Sequence, residues 1–461
     1  METGVKDTIR GGTWLYLSAI VVSAAGFIYW LVIARIAGAE AVGFASGVIS
    51  ASAIASTVVA AGANIAAIRF LATHGLEGIV SLIVFGLAAS GLALAAVIPL
   101  VVALGYGLDI AAIALSYTAI SLVSTLVVSG LIGLERFRRV FRATATASVF
   151  KLAVGFTLVA LGLGGLGALL GYLAFPSTIL AVVLPGLVRR VRKTASKLFG
   201  ELKEIIILTY SNYPYAFSNQ LLVMLSVYLT ALLTGREVST GAFYIAMMIV
   251  AIMAALPSSL INASLPIGIH RRERLVQEGL RLGLALLLPL TALLAVLAEP
   301  ILKMISPELV EASTSLEILL LSIVPFTALT ALVTELNRRG ELRPLITVGV
   351  ARTLLLLVLT LVLAPAYGID GVALAFLAAN SFTALLLAFL DQELALYMLR
   401  LWPQYIAVIV LGLVSDVNHY IVAVASLALS ITMLYATRTL EAREVKELAL
   451  LVASILQEGR E

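Results

Sequence analysis

A chain of 461 residues, 61% hydrophobic and 12% charged, with a mean hydropathy of +1.10, departs far from the roughly 45–50% apolar and 25% charged make-up of soluble domains. This composition excludes a soluble enzyme and assigns an all-α polytopic membrane protein, because the apolar runs are continuous and do not alternate as a membrane β-barrel requires. The net charge of +4 comes from basic residues in the breaks between apolar runs, which reads as membrane topology and not as a nucleic-acid surface. With no cysteine there is no disulfide, thiolate nucleophile or Cys-ligated metal.

Apolar runs near twenty residues, enough to cross about 30 Å of hydrocarbon, recur along the chain. They predict fourteen spans near 13–36, 41–66, 78–104, 109–133, 143–163, 166–188, 207–234, 240–268, 279–302, 313–336, 344–364, 369–391, 403–417 and 419–437. No short apolar region with a small-residue cleavage site precedes the first span, so that span is expected to double as an uncleaved insertion signal. The breaks holding Arg136 to Arg142, Arg189 to Lys193, Arg271 to Arg274 and Arg338 to Arg343 fall on one side, whereas Arg35, Arg236 and Lys303 fall on the other. The basic side is expected to be cytoplasmic, which puts both termini there. Beyond the last span, Leu440, Leu448, Leu451 and Ile455 recur at helical spacing among charges and predict an amphipathic tail over 438–461.

The chain repeats itself. The hairpin LVIARIAGAEAVGF, Leu31 to Phe44, has a counterpart in LTALLTGREVSTGAF, Leu229 to Phe243, with Gly235 answering Gly38 and Gly241 answering Gly43. Arg142 to Arg343 is an offset of 201 and Gly164 to Gly368 one of 204, so two units of six helices share one pattern. Six is even, so the copies run parallel, and a cavity is expected between them. The expected organisation is a lobe over 1–190, a cytoplasmic linker over 191–206, a lobe over 207–391, two extra spans over 392–437 and the tail.

Nothing in the chain matches a phosphate-binding loop or a zinc-binding HExxH, and its three histidines are scattered, so no cofactor, nucleotide or metal is expected. The functional candidates are polar groups within spans. Ser46, Ser50, Thr57 and Asn64 form a stripe on the second span, and Asn212, Tyr215, Asn219, Ser226 and Thr230 form one on the seventh, with Asn262 on the eighth. Such residues serve helix packing as well as substrate contact. Tyrosines and amides over Tyr210–Gln220 suit sugar rings, and they equally suit the interfacial aromatic belt. Lys151 lies nine residues beyond Arg142, and Arg352 nine beyond Arg343, which places two cations about 13 Å into the bilayer. Arg35 closes the first span. A cavity with cations and no buried acid fits an anionic headgroup, since Lys and Arg pair with phosphate oxygens. Snorkelling to the interface is the other reading.

On GGTWLYLSAI near the N-terminus, the Leu31–Phe44 hairpin, LTGREVSTGAFYIA, and YGIDGVALAFLAANS in the twelfth span, the sequence resembles the polysaccharide flippases of the multidrug/oligosaccharidyl-lipid/polysaccharide superfamily. The resemblance runs from about Arg10 to Asp391. It implies two six-helix lobes around a cavity lined by helices 1, 2, 7 and 8, with cations facing a pyrophosphate. It also implies a cell-membrane, non-enzymatic transporter, expected to act as a monomer, that moves a polyprenyl-linked oligosaccharide to the outer leaflet among membrane lipids. Arg35 matches the arginine the family carries at the end of helix 1, whereas Tyr228 stands where such proteins place an aspartate. A Na⁺- or H⁺-coupled drug exporter of the same superfamily is the alternative. A membrane glycosyltransferase or ligase is a third reading, disfavoured by short external loops.

Overall fold

The computed structural model describes residues 2–188, 195–271, 275–339, 342–388 and a few within 425–432. Apart from those few, the predicted spans 403–417 and 419–437 lie outside the described residues, as does the tail. Regular structure among the described residues is helical throughout: α1 Glu2–Ala60, α2 Ala63–His74, α3 Ile79–Ala103, α4 Leu108–Gly133, α5 Phe137–Leu158, α6 Gly164–Val188, α7 Ala195–Thr234, α8 Glu237–Arg271, α9 Leu275–Val296, α10 Ala298–Ile305, α11 Ser313–Leu321, α12 Ile323–Arg339 and α13 Leu342–Ala388. Short 3₁₀ turns at Gly75–Gly78 and Pro307–Ala312 and a π turn at Val159–Leu163 join some of them. Six of these stretches are long and apolar enough to cross a membrane, or eight when the pairs α9–α10, bent by 70°, and the 307–321 segment with α12, bent by 41°, each count as one.

Most predicted boundaries fall within a few residues of the helix ends, and the differences have local causes. The first two predicted spans form one helical run that leaves helical geometry at Gly38, where φ is 78°. Without a Cβ, glycine enters this left-handed region at little cost. The second span ends at Ala60 and not near 66, because Gly62 turns left-handed (φ 83°) and starts α2. Asn64 therefore sits on α2, off the stripe that the uninterrupted helix would have made. The seventh begins at Ala195, inside the expected linker, since Leu202 and Ile205 join an apolar core there. The last two described spans are one element, α13, broken at Gly368.

The described chain divides into two compact units. One comprises residues 1–248, 303–312 and 345–375, the other 249–302, 313–344 and 376–461. In the first, Phe70, Leu71, Ile79, Leu82, Leu126, Leu131, Val140, Val183, Leu187 and Ile205 form a continuous apolar core between α2 to α7. Small residues let these helices close up, as in membranes, where packing and not hydrophobic contrast drives helix association. A Cβ on Gly133 would lie 2.2 Å from the Ile68 carbonyl. At this end the first turns of α7 are tied by polar contacts, Ser81 Oγ donating to Glu201 at 2.6 Å and His74 lying 3.4 Å from Glu204. In the second unit α9 packs on α11 and α12, Gly283 lies against Pro257, and Phe326 stacks on Phe376 at 6.4 Å.

Candidate functional site

Lys151 sits on α5 with only 4% of its surface exposed. Its ammonium is enclosed by aromatic side chains. It lies over the faces of Tyr29, Tyr172 and Phe175, 5.3, 5.3 and 5.4 Å from the ring centroids. Each such contact is worth about 2 kcal/mol when desolvated, so three ring faces offset much of the cost of taking an ammonium out of water. No carboxylate among the described residues pairs with it. Tyr29 comes from α1, and Tyr172 and Phe175 lie one turn apart on α6.

Glycines make the room. Gly155 follows Lys151 by one turn on α5, and a Cβ there would meet the Tyr29 ring at 2.3 Å; a Cβ on Gly171 would lie 2.4 Å from the Cα of Gly155. The two helices therefore touch backbone to backbone, with the Tyr29 ring seated across them and its hydroxyl donating to the Ala168 carbonyl. Aromatic packing continues outward through Trp30, 5.5 Å from Tyr172 and 5.0 Å from Tyr244, and through Tyr117, 5.8 Å from Tyr172. The sequence reading singled out the lysine and missed its cage. The available signal was the pair Tyr29–Trp30 in mid-span, where a phenol needs a partner.

A second cluster gathers at the end of the same unit where α1 breaks, α3 gives way to α4, and α7 gives way to α8. Arg35 is exposed there, donating through Nη1 to the carbonyls of Met304 (3.0 Å) and Ile305 (3.3 Å). Just past the break, the Ala39 amide donates to Glu308 at 2.7 Å. Glu311 of the same turn accepts from Ser239 Oγ at 2.7 Å and from Arg236 at 3.2 Å, both on the Leu229–Phe243 hairpin. Tyr106 donates to Glu237 at 2.8 Å; burial first, then this carboxylate, push its phenol pKa up. The Leu31–Phe44 and Leu229–Phe243 hairpins meet each other here. A Cβ on Gly43 would lie 1.7 Å from the Glu237 carbonyl, and one on Gly241 would lie 1.9 Å from that of Ala39.

Arg352, the second in-span cation, is buried on α13 with 1% exposure, and Asn64 is half-buried on α2. Asn212, Tyr215 and Asn219 fall on α7 and Asn262 on α8, but their side chains lie outside the described residues. The small polar residues of the stripes are packing groups: Ser46, Ser50, Ser226 and Thr230 have no exposed surface, and each hydroxyl bonds back to a carbonyl of its own helix. Tyr213 donates to the Val58 carbonyl at 2.8 Å. Tyr228 caps α3, donating to the Leu100 carbonyl at 3.0 Å. That carbonyl is among the last four of α3, which lack a partner within the helix.

No protein-family model matches the chain, and no curated protein sequence matches it. Solved structures do. The lipid II flippase MurJ in an inward closed conformation superposes with a TM-score of 0.65 at 14% identity, over 93% of this chain and 99% of that one. An inward-facing multidrug resistance MATE family transporter of the MOP superfamily gives 0.56 at 15% identity, over 84% and 98%. The MATE multidrug transporter DinF-BH gives 0.55 at 16%, over 83% and 96%. With solved neighbours that include a lipid II flippase and MATE multidrug transporters, this helical chain has the fold of the multidrug/oligosaccharidyl-lipid/polysaccharide (MOP) superfamily.

Proposed function

We propose that this protein is a flippase that carries a polyprenyl-(pyro)phosphate-linked oligosaccharide from the cytoplasmic to the outer leaflet by alternating access. The observation that carries the reading is the Lys151 cage. An ammonium held by ring faces has no internal carboxylate to compete with an arriving phosphate, so the anion meets a cation whose desolvation is already met. Arg352, buried at the matching place in the second repeat, is the partner cation in this reading. Arg35 joins them after its bonds to the 304–305 carbonyls are released. Both termini are cytoplasmic in this reading, and the protein works in the cell membrane as a monomer. Three apolar stretches broken at Gly38, Gly162 and Gly368 are each long enough for two crossings, which supports more crossings than helices counted by length; two six-helix lobes and two further spans are part of this reading.

The test is reconstitution. Purified protein in liposomes containing a fluorescent polyprenyl-pyrophosphate oligosaccharide should flip it faster than empty vesicles, and a rate equal to the protein-free background sinks the reading.

The drug-exporter alternative shares the fold, and ion dependence separates the two. The acids of the first 188 residues, Glu2, Asp7, Glu40, Glu77, Asp109 and Glu135, lie near the N-terminus or at helix breaks. A coupled Na⁺ or proton site would normally need one at membrane depth. Flipping is therefore expected to persist when K⁺ replaces Na⁺ and when the pH gradient is collapsed; strict dependence on either gradient would favour the exporter. Topology gives a further check: reporter fusions after Arg236 and after Lys303 should read outside and one after Glu135 inside, and the reverse would overturn the charge-bias assignment.

A further inference from the structure

We propose that the turn Pro307–Ala312 is a latch that holds the Gly38 break of α1 to the start of α8, and that release of its two carboxylates opens the protein to the outer side. This rests on the transporter reading and adds a part to it. In a 3₁₀ turn, residues three apart project in the same direction, so Glu308 and Glu311 leave one short segment side by side. Each reaches the start of a different helix. Glu308 takes the Ala39 amide, the first after the Gly38 break, and Glu311 takes Ser239 in the first turn of α8 together with Arg236. Glu308 takes a capping position, meeting a backbone amide at a helix start that otherwise goes without a partner, while Glu311 meets side chains at the start of α8; at both helix starts a negative charge is favoured by the helix dipole. Arg35 fastens the same segment from the other direction by bonding the Met304 and Ile305 carbonyls at the end of α10.

What the latch holds shut is a contact made for separation. At Gly43 and Gly241 the two helices touch through bare backbone, so at this crossing no side chain is wedged between them, and the interlocked rings of Trp30 and Tyr244 lie further along the same pair of helices. The polar bonds around this dry crossing are open to water: Arg236 has 66% of its side chain exposed and Glu311 33%. Water can replace such bonds as they break, which makes them reversible, whereas the aromatic packing around Trp30 and Tyr244 deeper in the same unit has no such replacement. Each hairpin presents a helix start, and the two carboxylates of one turn reach both.

The chain has no cysteine, which makes the test clean. Ser46 lies one turn beyond Gly43 and has no exposed surface. Full-length protein carrying Ser46→Cys is placed in cells, and a membrane-impermeant maleimide is added from outside. Labelling is expected to be slow in this background and about tenfold faster when Glu308→Gln and Glu311→Gln are added, as befits the loss of one cap and one charged side-chain contact, with each single variant in between. Unchanged labelling in folded variants overturns the latch. Faster labelling from both sides, together with lost helicity, also overturns it, because the turn is then a structural brace. If the double variant does not fold, the single variants are read in the same way. Labelling needs no glycolipid, so a flat result removes the latch and leaves the flippase reading standing, while failure of glycolipid flipping does the converse.

Discussion

Replacing Lys151 with methionine is expected to lower glycolipid flipping at least about tenfold while leaving the protein as stable as before, or more stable by about 1–2 kcal/mol. The two effects run in opposite directions because the lysine is buried among aromatic faces without a carboxylate. Burying an ammonium costs several kcal/mol, and three ring contacts of about 2 kcal/mol each return roughly that amount. Methionine keeps the unbranched shape and the contact with the rings and removes the charge. A purely structural lysine would show lost stability with flipping unchanged per folded molecule. Thermal melting and flipping measured on the same preparation separate the outcomes, and wild-type flipping in Lys151→Met takes the residue out of the substrate path. Lys151→Arg keeps the charge but puts a larger, planar head among three ring faces and against Gly26, where a Cβ would lie 3.8 Å from the Lys151 ammonium, so it should lose stability as well as rate.

Gly43→Ala should be the most damaging single methyl among the described residues. Real Cβ atoms stay about 3.0 Å or more from such neighbours, and the added carbon would lie 1.7 Å from the Glu237 carbonyl, so α1 and α8 must separate by more than an ångström at their crossing. Overpacking of this kind costs about 1–3 kcal/mol, and more where the neighbour is backbone and cannot rotate away. Gly241→Ala meets the Ala39 carbonyl in the same way, and the pair should not add, since either one alone opens the same contact. Gly91 on α3 is the control: nothing lies within 4 Å of a Cβ there, so Gly91→Ala should be neutral or gain up to about 1 kcal/mol of helix propensity. Equal melting temperatures for Gly43→Ala and Gly91→Ala would mean that the two hairpins do not touch as described.

The helices were legible from the sequence because apolar length is a direct physical requirement of the bilayer, and the breaks were legible where glycine marks them, as at Gly38, Gly235 and Gly368. Breaks that depend on context were missed. Gly62 lies within an apolar run whose composition does not change across it, so the second span was read through to 66. The start of α7 at Ala195 was missed because its amphipathic turns look like a charged linker until Leu202 and Ile205 find the core. At the site, Lys151 and Arg352 stood out as charges in apolar runs. The cage did not, because Tyr29 comes from α1 and Tyr172 and Phe175 from α6, far apart in sequence, and each looks like an ordinary span aromatic. The hairpin duplication was visible, but not that the copies touch, nor that Arg35 spends its donors on the carbonyls of Met304 and Ile305.

The aromatic cage also gives the protein a spectroscopic reporter of its own. The chain has three tryptophans, Trp14, Trp30 and Trp402. Trp30 alone of the two that are described packs on a ring of the cage, through Tyr172; Trp14 sits instead against Phe141 and Arg138. An anion that draws Lys151 off its ring faces changes the field and the packing next to the Trp30 indole. Intrinsic emission in a Trp14→Phe, Trp402→Phe background therefore reads occupancy of the lysine without a dye, on the timescale of binding itself.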